Sequence, residues 1–150
     1  MKVLVTNRKA RRDYTILDTF EAGIVLKGTE VKSLRRGLGS LAGSYATVEK
    51  GEVWLRGLHI NPYEYGGIFN AEPKRRRKLL LHQREIKRLI GVTAVKGHTL
   101  IPLRIYLKGP LIKVEVGVGK GKRMYDKRQT IKKREAERET AQAMKMTIRG

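Results

Sequence analysis

Short runs of lysine and arginine, broken by single aromatic residues, are the side chains of this chain best suited to act on a partner. Both are hydrogen-bond donors and cations with no acceptor, so what they offer is a grip on a polyanion rather than bond making. Arg8, Lys9, Arg11 and Arg12 lie near the start, just ahead of Tyr14. Lys74-Arg-Arg-Arg-Lys78 is an unbroken cationic run, extended by Arg84, Lys87 and Arg88. Lys120, Lys122 and Arg123 follow the alternating Gly117, Gly119 and Gly121. Tyr125 and Asp126 then precede Lys127 and Arg128, with Lys132, Lys133 and Arg134 beyond.

Each cluster has a plain reading beside the functional one. A charge run is commonly a solvated surface, although adjacent cations repel and gain little from exposed pairing. The alternating glycines let a backbone approach a ligand closely, or simply mark a flexible exit from a strand. They do not form a P-loop, whose spacing is not met and whose closing Ser or Thr is missing. Tyr125 can stack on a base, a contact of roughly 1–3 kcal/mol, or anchor the tail on the body.

Catalysis finds no constellation. The histidines are scattered and cysteine is absent, so no metal-ligand spacing arises and no cofactor is expected. Glu21 and Glu30 have no second carboxylate or histidine close in sequence; each reads as balancing an arginine or orienting a loop.

Composition points the same way. Lys and Arg number 34 against 14 Asp and Glu, a formal net charge of +20, with a pI near 10.6. Nucleic acid is the commonest partner of such a surface. An anionic membrane is the competing reading, but no apolar run approaches the roughly 18 residues of a spanning helix. With no signal-peptide pattern at Met1 to Ala10 and no cysteine, a cytoplasmic protein is expected.

The elements that must position these residues follow from periodicity. Residues 1–12 read as a basic arm. Tyr14 to Leu26 alternate as one long strand with a bulge or bend at Gly23; Asp18 is the exception on its inner face. A short helix opens at Gly28-Thr29, capped by Thr29, with Val31, Leu34 and Leu38 as its stripe and Gly37 as its end. Tyr45–Glu49 and Val53–Ile60 form a hairpin around Lys50-Gly51, with Trp54, Leu58 and Ile60 on one face. A long loop with Tyr63, Tyr65 and Phe69 leads to a second helix over Lys78–Ile90. Its stripe is Leu79, His82, Ile86, Leu89 and Ile90, with Leu80 and Leu81 off it and Gly91 as the C′ residue. His98–Leu107 and Leu111–Val118 make a second hairpin around Lys108-Gly109-Pro110. Five main strands with a helix between the third and fourth predict a mainly β fold with flanking helices. It is an OB-type antiparallel barrel, closed or partly open, with an open α+β sheet as the alternative. The barrel is expected over 13–122. A basic tail over 123–150 is expected to be disordered when free and helical when bound, since it cannot bury enough apolar surface to offset its ordering entropy.

Taken in order, several motifs resemble the SsrA-binding (small protein B) family, the tmRNA-binding proteins of bacterial trans-translation. They are Asn7-Arg-Lys-Ala-Arg-Arg-Asp-Tyr14, Phe20-Glu-Ala-Gly-Ile24, Gly28-Thr-Glu-Val-Lys-Ser-Leu-Arg35, Ser44-Tyr-Ala46, Arg77-Lys-Leu-Leu-Leu-His82, Lys120-Gly-Lys122 and Asp126-Lys-Arg128. The resemblance spans nearly the whole chain. It implies an OB-type barrel that binds the tRNA-like domain of tmRNA and delivers it to stalled ribosomes. It also implies a tail that enters the empty mRNA channel and becomes helical there. By position it assigns Tyr14, Glu21, Leu80 and His82 to tmRNA binding, though asparagine stands at position 82 in some relatives. Lys32, Arg35 and Tyr45 fall inside matched motifs and join the RNA-binding set. Phosphate contacts are expected from Arg8, Lys9, Arg11, Arg12, Lys120, Lys122 and Arg123. Tyr125, Asp126, Lys127, Arg128, Lys132, Lys133 and Arg134 match the segment that reaches the decoding region. The expected partners are therefore tmRNA and the ribosome, bound by a non-catalytic monomer. A structural ribosomal protein or a general RNA-binding OB-fold protein is the alternative.

Overall fold

The structure is a computed structural model and describes residues 1–122. Its first elements are β1 (Lys2–Thr6), α1 (Ala10–Asp13), β2 (Tyr14–Ile24) and α2 (Gly28–Arg35). Next come β3 (Gly39–Ser40), β4 (Tyr45–Glu49), β5 (Glu52–Arg56) and β6 (His59–Ile60). A 3₁₀ turn at Gly67–Phe69 precedes β7 (Arg77–Leu80), α3 (Gln83–Thr93), β8 (His98–Lys108) and β9 (Leu111–Gly121). Arg123 and the tail residues Tyr125, Asp126, Lys127, Arg128, Lys132, Lys133 and Arg134 lie outside the described residues.

Two tight turns set the register. Lys50 and Gly51 have φ of 50° and 75°, the left-handed pair whose twist suits a two-residue hairpin between β4 and β5. Gly109-Pro110 closes the hairpin of β8 and β9, where Lys108 faces Leu111. Strand β8 is the hub: it pairs with β9 along its length, with β4 at Ala46–Leu100, and with β1 from Arg104 to Leu107. Strand β9 pairs with β2, β2 with β7 at Gly23 and Ile24, and β7 with β5. The ring β8-β4-β5-β7-β2-β9 is thus a partly closed antiparallel barrel of the OB type, thinnest at the β4–β8 and β2–β7 seams. Val53, Leu55, Leu79, Leu100, Ile105, Val114 and Val116 fill it, and Leu89 of α3 and Leu34 of α2 join the same core.

Local pattern misled in several places. Residues 1–12, expected as an arm, supply β1 and most of α1. The predicted helix over Lys78–Ile90 is instead β7 followed by α3, so Leu79 is a barrel residue and Gly91 lies inside the helix. Lys78-Leu-Leu-Leu fits either period, and its exposed-buried alternation is that of a strand. Gly57, at φ 79°, breaks the expected Val53–Ile60 strand in two. Trp54 consequently faces outward while Val53 and Leu55 are buried. The irregularity in β2 falls between Ile16 and Asp18 rather than at Gly23, so Tyr14 and Ile16 pack on the second apolar cluster while Phe20 and Ala22 lie in the main core, which corrects their expected common face. Helix α2 ends at Arg35, leaving Leu38 exposed, and Gly37 turns the chain at φ 74° as expected.

The glycines of β9 have a structural use. A Cβ on Gly119 would come within 2.9 Å of Ile101 Cδ1 and 3.2 Å of Tyr14 Cβ. One on Gly117 would meet Leu103 and Ile16 at 3.1 and 3.2 Å. The space at Gly117 and Gly119 is therefore already occupied, which corrects the expectation that these two open the backbone to a ligand. Ala10, Ile101 and Leu103, with Tyr14 and Ile16, form a second small apolar cluster there. It seats α1. Of the three glycines of β9, only Gly121 would meet nothing within 4 Å. Gly119→Ala is expected to destabilise the fold by about 1–3 kcal/mol through overpacking. Gly121→Ala, with open space, should stay within about 0.5 kcal/mol of the parent. Urea unfolding of the two variants checks the contrast.

Glu30 and Arg77 form a buried pair, 3% and 0% exposed. Arg77 Nε and Nη2 donate to Glu30 Oε2 at 2.8 and 2.5 Å, and Arg77 also donates to the carbonyls of Leu58 and Pro73. The other oxygen, Oε1, accepts from Arg75 and from the Lys27 N–H at 2.9 Å. Glu30 therefore caps α2 in place of Thr29, whose hydroxyl donates to the Phe69 carbonyl. Burial raises the Glu30 pKa, but the donors Arg75, Lys27 N–H and Arg77 outweigh it and hold the carboxyl below its ordinary value. A carboxyl depressed on folding stabilises above its unfolded pKa, and that contribution is lost as pH falls through the folded value. Stability should thus fall below about pH 4. Glu30→Gln should begin lower, by about 3–5 kcal/mol for an unpaired buried arginine, and lose less over that acid range. Urea unfolding at stepped pH measures both.

Candidate nucleic-acid interface

Exposed cations converge where α1 meets the ends of β2 and β9. Arg8, Lys9, Arg11 and Arg12 are all exposed, while Ala10 is buried in the second apolar cluster and orients the helix. Tyr14 pairs with Gly121 and Thr15 with Lys120, which brings the start of β2 beside the end of β9. Lys122 Nζ donates to the Arg11 carbonyl at 3.0 Å and so lies directly against α1. Tyr14 borders two hollows. One, of about 640 Å³, is walled by Lys9, Arg12, His98, Thr99 and Gly121. The other, of about 430 Å³, reaches Asn7, Ser44 and the exposed Tyr45. Lys9, Arg12 and Tyr14, close together in sequence, thereby share one rim with Tyr45 and Lys122, which come from far along the chain. Such a rim can hold phosphates and stack against bases.

A second group lies at the β2–β7 seam. Leu80 is 51% exposed and faces Gly23, where an added Cβ would lie 3.3 Å from the Leu80 Cβ. Its exposure follows from strand alternation, not from lying off a helical stripe. His82 is exposed at the N-cap of α3, which corrects its expected place on an apolar face. With Thr19, Phe20, Arg84 and Arg88 it borders a hollow of about 490 Å³. Glu21 projects from the same outer face of β2 and accepts from Tyr106 Oη and from Lys108 Nζ, the latter at 3.0 Å. The Tyr106 hydroxyl, then Lys108, hold the Glu21 carboxyl below its ordinary value, so it stays ionised at neutral pH. Burial and the Glu21 bond in turn push the Tyr106 hydroxyl upward, keeping it a donor. Glu21 is thus a fixed anion among cations rather than an acid poised to transfer a proton.

Lys32 and Arg35 are exposed on α2, which packs on β1 and β6 rather than on α1. They form a third location. The run Lys74–Lys78 is not a uniform cationic surface. Arg77 and Arg75 serve Glu30, the Arg76 guanidinium lies 4.0 Å over Trp54, and Lys78 reaches Glu52 at 3.2 Å. Sequence reasoning did not single out His98 or Tyr106. Neither has a motif around it; only strand pairing places His98 opposite Lys120 and Tyr106 beside Glu21. Among the described residues, no group of three or more acids and histidines could hold a metal ion, and no helix is long and apolar enough to cross a membrane.

The barrel is small and antiparallel, with exposed cations gathered on its outer rim. The comparison with known proteins is more specific. The SmpB protein family model matches residues 4–146, and the chain belongs to that family. An SsrA-binding protein of Desulforudis audaxviator is 58% identical over 142 residues, 95% of this chain and 93% of that one. The SsrA-binding protein of Caldicellulosiruptor bescii is 58% identical over 149 residues, 99% of this chain and 94% of its own. A solved chain described under "tmRNA-SmpB: a journey to the center of the bacterial ribosome" shares 53% identity at a TM-score of 0.69. That likeness covers 81% of this chain and 85% of the other.

Proposed function

We propose that this chain binds tmRNA through the rim around α1 and the β2–β7 seam, and carries it to ribosomes stalled without a usable codon. The observation that carries the reading is the seating of the Arg8–Arg12 cations against Lys122 and Tyr14 in a member of the SmpB family. A folded RNA offers phosphates at fixed spacing and few accessible base edges, which suits a rigid basic rim that reads shape. Phosphate contacts come from Arg8, Lys9, Arg11, Arg12, Lys120 and Lys122, with Tyr14 and Tyr45 as stacking surfaces. Glu21, Leu80 and His82 supply a second contact line, and Lys32 and Arg35 a third. The names of the relatives and the solved chain's association with tmRNA and the ribosome support these partners.

The tail has a separate part in this reading. Tyr125 to Arg128 and Lys132 to Arg134 contact the decoding region of a ribosome whose mRNA channel is empty, so the tail reports the missing message. The protein acts by binding and positioning, and the transfer chemistry belongs to the ribosome.

Two measurements, one on the parent and one on a truncation, test the proposal. Affinity for a tRNA-like RNA should fall linearly on a log–log salt plot, by roughly 0.7–0.9 per phosphate neutralised; a flat plot removes the electrostatic basis. Deleting residues 126–150 should spare that binding but abolish peptide tagging on stalled ribosomes. Simultaneous loss of both in a folded truncation would place the tail in the primary RNA site.

A further inference from the structure

We infer that the loop between β6 and β7, with the adjoining face of α2, is a separate site for an unstacked base of single-stranded RNA. The loop displays large apolar side chains to solvent: Ile68 is 93%, Phe69 77% and Tyr65 73% exposed. Such a display is costly for a solvated connection and typical of a surface that another molecule covers. The loop is also built rather than slack. Asn70 Oδ1 accepts from the Tyr63 N–H at 2.9 Å, and its Nδ2 donates to the Tyr63 carbonyl at 3.0 Å. Gly66 sits so close to Asn70 that a Cβ there would come within 2.5 Å of its side chain. The Gly66 N–H reaches the Tyr63 carbonyl at 2.9 Å, and the Phe69 N–H reaches that of Gly66 at 3.0 Å. At the far end, Arg77 donates to the Pro73 carbonyl from the buried pair with Glu30.

Charge decides the occupant. Lys32 Nζ stands 5.2 Å and Arg36 Cζ 5.1 Å from the Tyr63 ring centre, so a lysine of α2 and the arginine just past its end are drawn onto the aromatic loop. Tyr65 meets Tyr63 edge-on at 5.6 Å. Between Gly28 and Thr29 on one side and Tyr65 and Phe69 on the other lies a groove of about 430 Å³, with Lys32 in its wall. Flat exposed rings beside cations suit a nucleobase and its phosphate, the pairing that single-strand binders use. The groove shares no lining residue with the hollows at Tyr14 or at His82.

The inference builds on the RNA-binding reading and shares Lys32 with it, but its test turns on Tyr65 and Phe69, which that reading does not use, so the two can fail separately. The probe is a short adenosine-rich oligoribonucleotide without a hairpin, carrying 2-aminopurine, titrated into the full-length chain. Quenching of the aminopurine is expected. Phe69→Ala and Tyr65→Ala are each expected to weaken oligonucleotide binding by about tenfold. Both side chains are exposed, and unchanged thermal melting would confirm that the variants fold. Unchanged oligonucleotide affinity in both folded variants overturns the inference. If the parent binds a folded tRNA-like RNA but not the oligonucleotide, the inference alone falls; if it binds neither, the RNA-binding reading falls with it. A photoreactive group placed at Phe69 should cross-link to RNA on isolated ribosomes, and adducts confined to protein would also overturn the site.

Discussion

The buried contact between Glu30 and Arg77 is the constraint on which much of the positioning depends. It joins α2 to the first residue of β7 across 47 positions of sequence and ties both to the carbonyls of Leu58 and Pro73. A single carboxylate thus orients the start of a barrel strand, the end of the aromatic loop and the N-terminus of a helix. Removing two charges from water is costly, and only the density of hydrogen bonds around them makes the arrangement tolerable. Its use lies in geometry: an apolar pair of the same volume would fill the space without pointing any of these segments.

A second constraint is steric. Gly117 and Gly119 carry no side chain on the outer face of β9, so Ile101, Leu103, Ile16 and Tyr14 can pack there. That shallow cluster lets one turn of helix with a single buried alanine hold its place. A four-residue helix does not stand alone in water. The basic residues of α1 therefore owe their fixed position to two missing side chains on a strand more than a hundred residues away, and to the apolar contacts those absences allow.

Positive charge is divided unequally between structure and surface. Several cations of the Lys74–Lys78 run are committed to internal partners or to a tryptophan ring, while those of α1 are exposed. The same residue types in similar runs thus have different roles. Glu21 shows the converse. An acid held ionised by a tyrosine and a lysine marks one point of negative charge on a basic surface.

Much of this was legible without coordinates. The hairpins over β4–β5 and β8–β9 follow from alternation and from Lys50-Gly51 and Gly109-Pro110, because turn and pleat are local properties. The charge surplus, the OB-type barrel and the family motifs are likewise properties of the chain read in order. The tertiary structure alone decided which arginine of the cationic run is buried, why β9 needs its glycines, and that Arg77–Leu80 is a strand. It alone placed His98 beside Lys120 and Tyr106 beside Glu21. Each of those outcomes depends on a neighbour distant in sequence, and burial, pairing and close approach are settled only when that neighbour arrives.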